Sequence, residues 1–268
     1  MYALLLLPVP QAVSVQDDLD ARIEAYEEVV KDKGRVPEAI SHLDGLLQHY
    51  QKLADRRREI AEALEFDEGD PKALKKEDKE LARQQERIVD AVWLAFDARS
   101  RKRARPPENV DLWRTAAVVL GRMGEEGAKY LWEAFEDKRF TKDVEFRAHI
   151  VRQIGSTRDW DQWKELVDLL DYKDELVIAA AAESLARFGE APAKIRQEST
   201  KYLVKRLESY QNAALDGEDT TARRVYRTVR EPMTRALSAL TGQSFRDPLD
   251  WTKWWNNVGQ KKDYWKED

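Results

Sequence analysis

RTAAVVLG at residues 114–121, RAHIVRQIG at 147–155, AAESLARFG at 181–189 and TRALSALTG at 234–242 are four copies of one short theme. Each is a helical run of small and branched apolar residues that closes on glycine. Gly121, Gly155 and Gly189 succeed one another at 34 residues per step, and Gly242 comes after a further 53. A fixed period of about 20 to 50 residues marks a stack of like units, each burying its apolar face on the next.

The residues beyond each glycine repeat as well. Leu131 and Phe135 lie 10 and 14 residues beyond Gly121, and Leu166 and Leu170 lie 11 and 15 beyond Gly155. Thr241 takes the glycine's place in the last copy, and Trp251 and Trp255 lie 10 and 14 beyond it. Leu203 and Leu207, at 14 and 18 beyond Gly189, are displaced by a short insertion around Pro192. Each unit therefore reads as two helices, the first packed with Ala, Ile and Leu and the second carrying an apolar stripe at i, i+4. The glycine is expected to break them apart by taking φ > 0 at the helix C-cap.

The pattern R-x-A-A-x-x-L-G resembles the HEAT family of α-solenoid repeats in its short bacterial form. Arg114, Ala116, Ala117, Leu120 and Gly121 carry the resemblance best, and it covers roughly residues 110–258. The tetratricopeptide repeat shares the period. It wants Ala and Phe where this chain has Glu133 and Asp137, then Val167 and Asp171, and is set aside on those positions. The resemblance implies an all-α fold with a solenoid of about four helix pairs over residues 106–268 and a Trp-rich C-terminal cap.

Composition agrees with amphipathic helices whose outer faces meet water: 42% of the residues are hydrophobic and 36% charged. Without cysteine there is no disulfide, thiolate metal site or cysteine nucleophile. The formal net charge of −5 argues against a surface given over mainly to nucleic acid.

Residues 15–105 keep a different rhythm. Leu19, Ile23, Tyr26 and Val30 step by 4, 3 and 4, and Val36, Ile40, Leu43, Leu47, Tyr50 and Ala54 continue with steps of 4, 3, 4, 3 and 4, with Ala61 and Leu64 beyond. This heptad seam predicts a long helix. A turn at DEGDP, residues 67–71, comes next with Pro71 at the first helical position, and a returning helix runs over about 72–103 with Leu74, Leu81, Ile88, Val92 and Ala95 inward. The expected structure is a coiled-coil-like antiparallel hairpin with a shorter helix beside it. Pro106 and Pro107 set the boundary to the repeats.

The first 14 residues, MYALLLLPVPQAVS, have an apolar core and a small-x-small site at Ala12 to Ser14 but no basic start. Read as a truncated signal peptide, they send the chain out of the cytoplasm or into a periplasm; read as a plain apolar tail, they leave it cytoplasmic. The run is too short to span a bilayer.

Three charged or aromatic features are candidates for function. RSRKRAR at 99–105 reads as a nucleic-acid patch or, on the stronger argument, as cations at a helix C-terminus. Arg223, Arg227 and Arg230 step by 4 and 3 along one helical face, fit to grip an acidic peptide, a phosphate or a polyanion, or to form a solvated face paired with Glu231 and Asp219. Asn212 to Thr221 is read as a polar loop before that helix. Trp251, Trp254, Trp255 and Val258 fall at i, i+3, i+4 and i+7, an aromatic stripe that closes the last helix pair or offers a platform to a sugar or a partner helix, with Trp265 outside it.

No motif for catalysis or cofactor binding is present: GxGxxG, GxxxxGK[ST], GxSxG and HExxH are all missing. His42 and His49 share a face of the first long helix and read as surface residues. The resulting expectation is a non-enzymatic scaffold without cofactors, binding a protein or peptide partner through Arg223, Arg227, Arg230 and Trp254. HEAT-like relatives that grip duplex DNA imply nucleic-acid binding through the arginines as the alternative. Short HEAT-like lyases that attach chromophores imply an enzyme or chaperone as a third reading, with no residue here to mark its site.

Overall fold

The structure is a computed structural model that describes residues 13–96, 109–215 and 220–266. The segment read as a leader falls outside them up to residue 12, as do the basic run at 99–105, Pro106 and Pro107, and the acidic residues 216–219. The described residues form an all-α structure with no strand, in eleven α-helices together with short 3₁₀ turns and one π-helical turn. None of these helices is long and apolar enough to cross a membrane. The chain divides into two compact units, Met1–Ala116 and Ala117–Asp268.

The first unit packs α1 (Val13–Val30), α2 (Val36–Glu65) and α3 (Pro71–Trp93) on one another. Leu19, Ile23, Tyr26 and Val30 on α1 are buried, as are Leu43, Leu47 and Tyr50 on α2 and Ile88 and Val92 on α3. Asp70 accepts from the Lys72 amide at 2.9 Å and Pro71 opens α3 without an amide to satisfy. Towards this turn the seam thins: Ala61 is exposed, Leu64 and Leu74 are half-buried, and Ile60 is the buried residue. Charge takes over there, with Arg56 on Glu77 at 2.7 Å and Arg57 on Asp78 at 2.8 Å and on the Gln85 side-chain carbonyl at 2.7 Å.

Two expectations for this unit are corrected. The third helix ends at Trp93 rather than near residue 103, and 94–96 form a turn. The Ala95 carbonyl accepts from Trp113 Nε1 at 3.0 Å, and Trp93 stacks on Phe96 with ring centroids 5.3 Å apart. His49 is not on the surface but 9% exposed, and its Nε2 meets no donor or acceptor among the described residues. Burial holds its imidazole below the ordinary 6.5, opposed by the Asp18 carboxylate and reinforced by Arg22 and Lys52.

In the second unit α4 (Val110–Leu120), which carries the dividing point, is succeeded by α5 (Gly124–Glu136), α6 (Val144–Ser156), α7 (Trp163–Asp168), α8 (Glu175–Leu185), α9 (Ala193–Leu215), α10 (Thr220–Thr241) and α11 (Pro248–Trp254). Alternate helices pack on each other: α6 on α8 and α8 on α10, α7 on α9 and α9 on α11. The stripes of the intervening helices face inward, for Leu131, Phe135, Leu166, Leu170, Leu203, Leu207 and Trp251 are all buried. α8 lies between neighbours, and Val177 to Ala182 are buried on every side, as an all-round apolar helix requires. α9 extends four residues into the stretch read as a loop, ending at Leu215.

Of the four recurring glycines Gly242 alone meets the expectation, with φ of 71° directly after α10; Gly121, Gly155 and Gly189 lie outside the left-handed region, which Gly69 and Gly124 also occupy. Those three instead let the next helix come close. A Cβ on Gly121 would stand 3.0 Å from the Gln153 carbonyl oxygen, one on Gly155 2.5 Å from Ser184 Cα, and one on Gly189 2.9 Å from the Ala239 carbonyl oxygen. Ser184 seals the middle contact by donating to the Val151 carbonyl at 2.7 Å. Buried Arg147 ties α6 to α5, donating to the Phe135 carbonyl at 3.1 Å with its guanidinium 4.1 Å from that ring's centre and hydrogen-bonding Tyr172.

The C-terminal aromatic stripe is also rearranged. After α11 the chain makes one π-helical turn, Trp255–Gly259, which rotates Val258 off the inward face to 38% exposure. Trp265 takes the inner place at 5% exposure, donating its Nε1 to the Gly259 carbonyl at 2.6 Å.

Gly155→Ala is expected to destabilise the chain by about 1–3 kcal/mol, because the obstacle is backbone that cannot swing aside. Gly45→Ala, inside α2 and 3.5 Å from a flexible arginine tip, is expected to stabilise it by up to about 1 kcal/mol. Urea denaturation of both variants checks the contrast, and equal effects would refute the packing role.

The buried His49 predicts a second result. The unfolded chain takes up a proton near 6.5 and the folded one only at lower pH, so the stabilisation is complete above 6.5 and is lost as pH falls through the folded value. Between about pH 7 and pH 5 the urea midpoint should fall, and His49→Gln should flatten that part of the curve. An unchanged slope in the variant would count against it.

Candidate functional site

Helix α10 is amphipathic because its residues fall on two faces. Val229, Met233, Ala236, Leu237 and Leu240 are buried against α8 and α9, which leaves Arg223, Arg227 and Arg230 on the outer face. Pro232 sits inside the helix and is itself buried.

Four adjoining hollows lie along that face. The largest, of about 630 Å³, is lined by Arg227, Arg230, Glu231, Arg235, Phe245 and Arg246 among others. A hollow of about 450 Å³ at the start of the helix takes Arg223, Tyr226 and Arg227 with Gln211 of α9. A third of about 240 Å³ is shared by Gln211, Tyr226, Arg230, Arg246 and Asp247. The fourth, of about 260 Å³, reaches across to α8 and α6, where Arg152, Glu183 and Arg187 meet Arg235 and Pro232. Arg227, Arg230, Arg235 and Arg246 each line two of them, so the hollows form one continuous strip.

The strip is locally basic in an acidic chain. Arg152, Arg187, Arg223, Arg227, Arg230, Arg235 and Arg246 stand against Glu183, Glu231 and Asp247. Glu183 is held from both sides, at 2.5 Å from Arg152 Nε and 3.4 Å from Arg235 Nη2, so one carboxylate links α6, α8 and α10. Arg230 Nη2 donates to the Arg246 carbonyl at 3.1 Å, which fixes the loop before α11 beside α10. Burial raises the pKa of the Tyr226 phenol, opposed by Arg230 and reinforced by Asp247, so it stays a neutral donor at physiological pH. The Gln211 side-chain carbonyl is buried and finds no donor among the described residues. A planar guanidinium with five donors suits carboxylate or phosphate, and this surface presents several of them over a partly apolar floor.

The structure thus brings Arg223, Arg227 and Arg230 together on one surface. It adds Arg246 from a loop and Arg152, Arg187 and Arg235 from the helix row, none of which the sequence singled out. Tyr226 stands at i+3 from Arg223, a spacing that could have disclosed it. Trp254 is elsewhere: half-buried, it packs on Trp251, Trp255, Phe245 and Tyr264 with centroids 5.2 to 6.4 Å apart and lines none of these hollows. Among the described residues no group of three or more metal-ligating side chains is placed to hold an ion.

The Trp254 ring is held by this cluster, so Trp254→Ala should lower stability by about 2–4 kcal/mol in urea denaturation. A loss below about 0.5 kcal/mol would mean that the ring is not held this way. Compared with known proteins, the chain matches no family model, and no curated protein or solved structure is significantly similar to it.

Proposed function

We propose that the chain is a non-enzymatic helical-repeat scaffold of HEAT type, with an N-terminal helical hairpin, that holds a protein partner on the arginine face of α10. The observation that carries this reading is the strip itself: Arg223, Arg227, Arg230 and Arg246 converge around connected hollows on one side of α10. Serial packing of α6, α8 and α10, each glycine lodged against the next helix of the row, supports the repeat reading. A surface built from one helix of each pair is what repeat proteins use to bind partners. Arginine is also favoured at the centre of protein interfaces, where its stem adds apolar area and its head adds directed hydrogen bonds.

The test is crosslinking in the native cell combined with mass spectrometry, with the wild-type chain and with Arg223→Glu, Arg227→Glu and Arg230→Glu together. These side chains are exposed, and the bond lost from Arg230 to the Arg246 carbonyl is itself exposed, so reversal should cost little stability, which a thermal melt of the variant checks. Capture of a defined partner by the wild type and at least a tenfold loss in the variant is the expected outcome. Undiminished capture by the variant would rule out the arginine face as the binding surface.

A further inference from the structure

We infer that the strip takes an acidic protein segment whose carboxylates are interleaved with apolar side chains, lying across α10, α8 and α6, rather than a uniformly charged polyanion. The inference rests on the reading of this face as a protein-binding surface.

Two observations on the strip favour such a segment. Cations and carboxylates alternate along the strip: Glu183 lies between Arg152 and Arg235, Glu231 3.8 Å from Arg235, and Asp247 in the hollow with Arg230 and Arg246. A phosphodiester chain, charged at every residue, would be driven against each of those carboxylates, whereas a segment with spaced acids can place its neutral residues there. Between the arginines the floor is apolar, formed by Phe245 in one hollow, Pro232 and Ala186 in another and Pro248 in a third. Charge at longer range points the same way. The chain as a whole carries −5, and beyond a screening length of about 8 Å at physiological salt a long polyanion meets that charge while a short segment feels mainly the arginines.

Glu183 acquires a definite part in this picture. It occupies the guanidinium groups of Arg152 and Arg235 from within and competes with an incoming carboxylate. Removing its charge should strengthen binding, a gain that misfolding cannot mimic.

Fluorescence anisotropy with the full chain at physiological salt tests the inference with three labelled probes: a peptide of Asp and Glu interleaved with Leu and Phe, the same peptide with Ser in place of Leu and Phe, and a short DNA duplex. The first should bind at least tenfold more tightly than the other two. Glu183→Gln should tighten it about threefold to tenfold, and Arg235→Glu with Arg246→Glu should weaken it at least tenfold while melting like the wild type. A duplex that binds best, a serine peptide that binds equally well, or no binding of the first peptide would each overturn the inference. In any of these cases crosslinks lost on reversing Arg223, Arg227 and Arg230 would still leave the protein-binding reading standing, and crosslinks retained would sink both.

Discussion

Where α6 crosses α8, Gly155 lies so close to Ser184 that the two backbones all but touch, and the Ser184 hydroxyl closes the gap by donating to Val151 on the other helix. No side chain can stand between them. The same approach recurs at Gly189 against Ala239, and Gly121 comes nearly as close to Gln153, so the row from α6 to α10 is spaced largely by main chain rather than by side-chain volume. The alanines at 179–182 of α8 extend this to both of its flanks. Side chains rooted on such a row, Glu183 and the arginines around it, inherit fixed starting points.

Much of the helical architecture can be read directly from the residues. Leu19, Ile23, Tyr26 and Val30 step by 4, 3 and 4 and all four are buried, because that spacing keeps them on one side of a helix. The purpose of the recurring glycines was not legible in the same way. A glycine that turns the chain and a glycine that admits a neighbour look identical in a sequence, and what distinguishes them is a helix that arrives many residues later. Gly242, which closes the last copy, does take positive φ, and so does Gly124, which belongs to no repeat. The end of α3 depended likewise on Trp113, whose indole claims the Ala95 carbonyl from a distance no local pattern registers. His49 was misplaced for a related reason: a polar residue on a periodic helix reads as solvated until a second helix covers it.

The arginine surface was visible to the extent that it lies on one element. Arg223, Arg227 and Arg230 declare themselves by helical spacing, whereas Arg246 reaches them only through a loop, and Arg152 and Arg187 sit on helices whose own patterns speak of packing alone. The tryptophans erred in the opposite direction. Their spacing marked a stripe correctly up to Trp255, but a single π-helical turn advanced the phase and exchanged Val258 for Trp265 on the inside. Such a turn leaves no mark that composition or period would register.

The close seating of the helices also turns the molecule into a ruler. Arg152, Arg187 and Arg235 stand on α6, the turn after α8, and α10, and neighbouring helix axes in packed rows are about 8–10 Å apart. An extended chain advances about 3.3 Å per residue, so a strand laid across the row would meet a new helix roughly every third residue. Because main-chain contact sets that interval, it cannot be retuned by exchanging one core side chain for another, and selectivity for the spacing of charges along a bound strand would be written into the backbone itself.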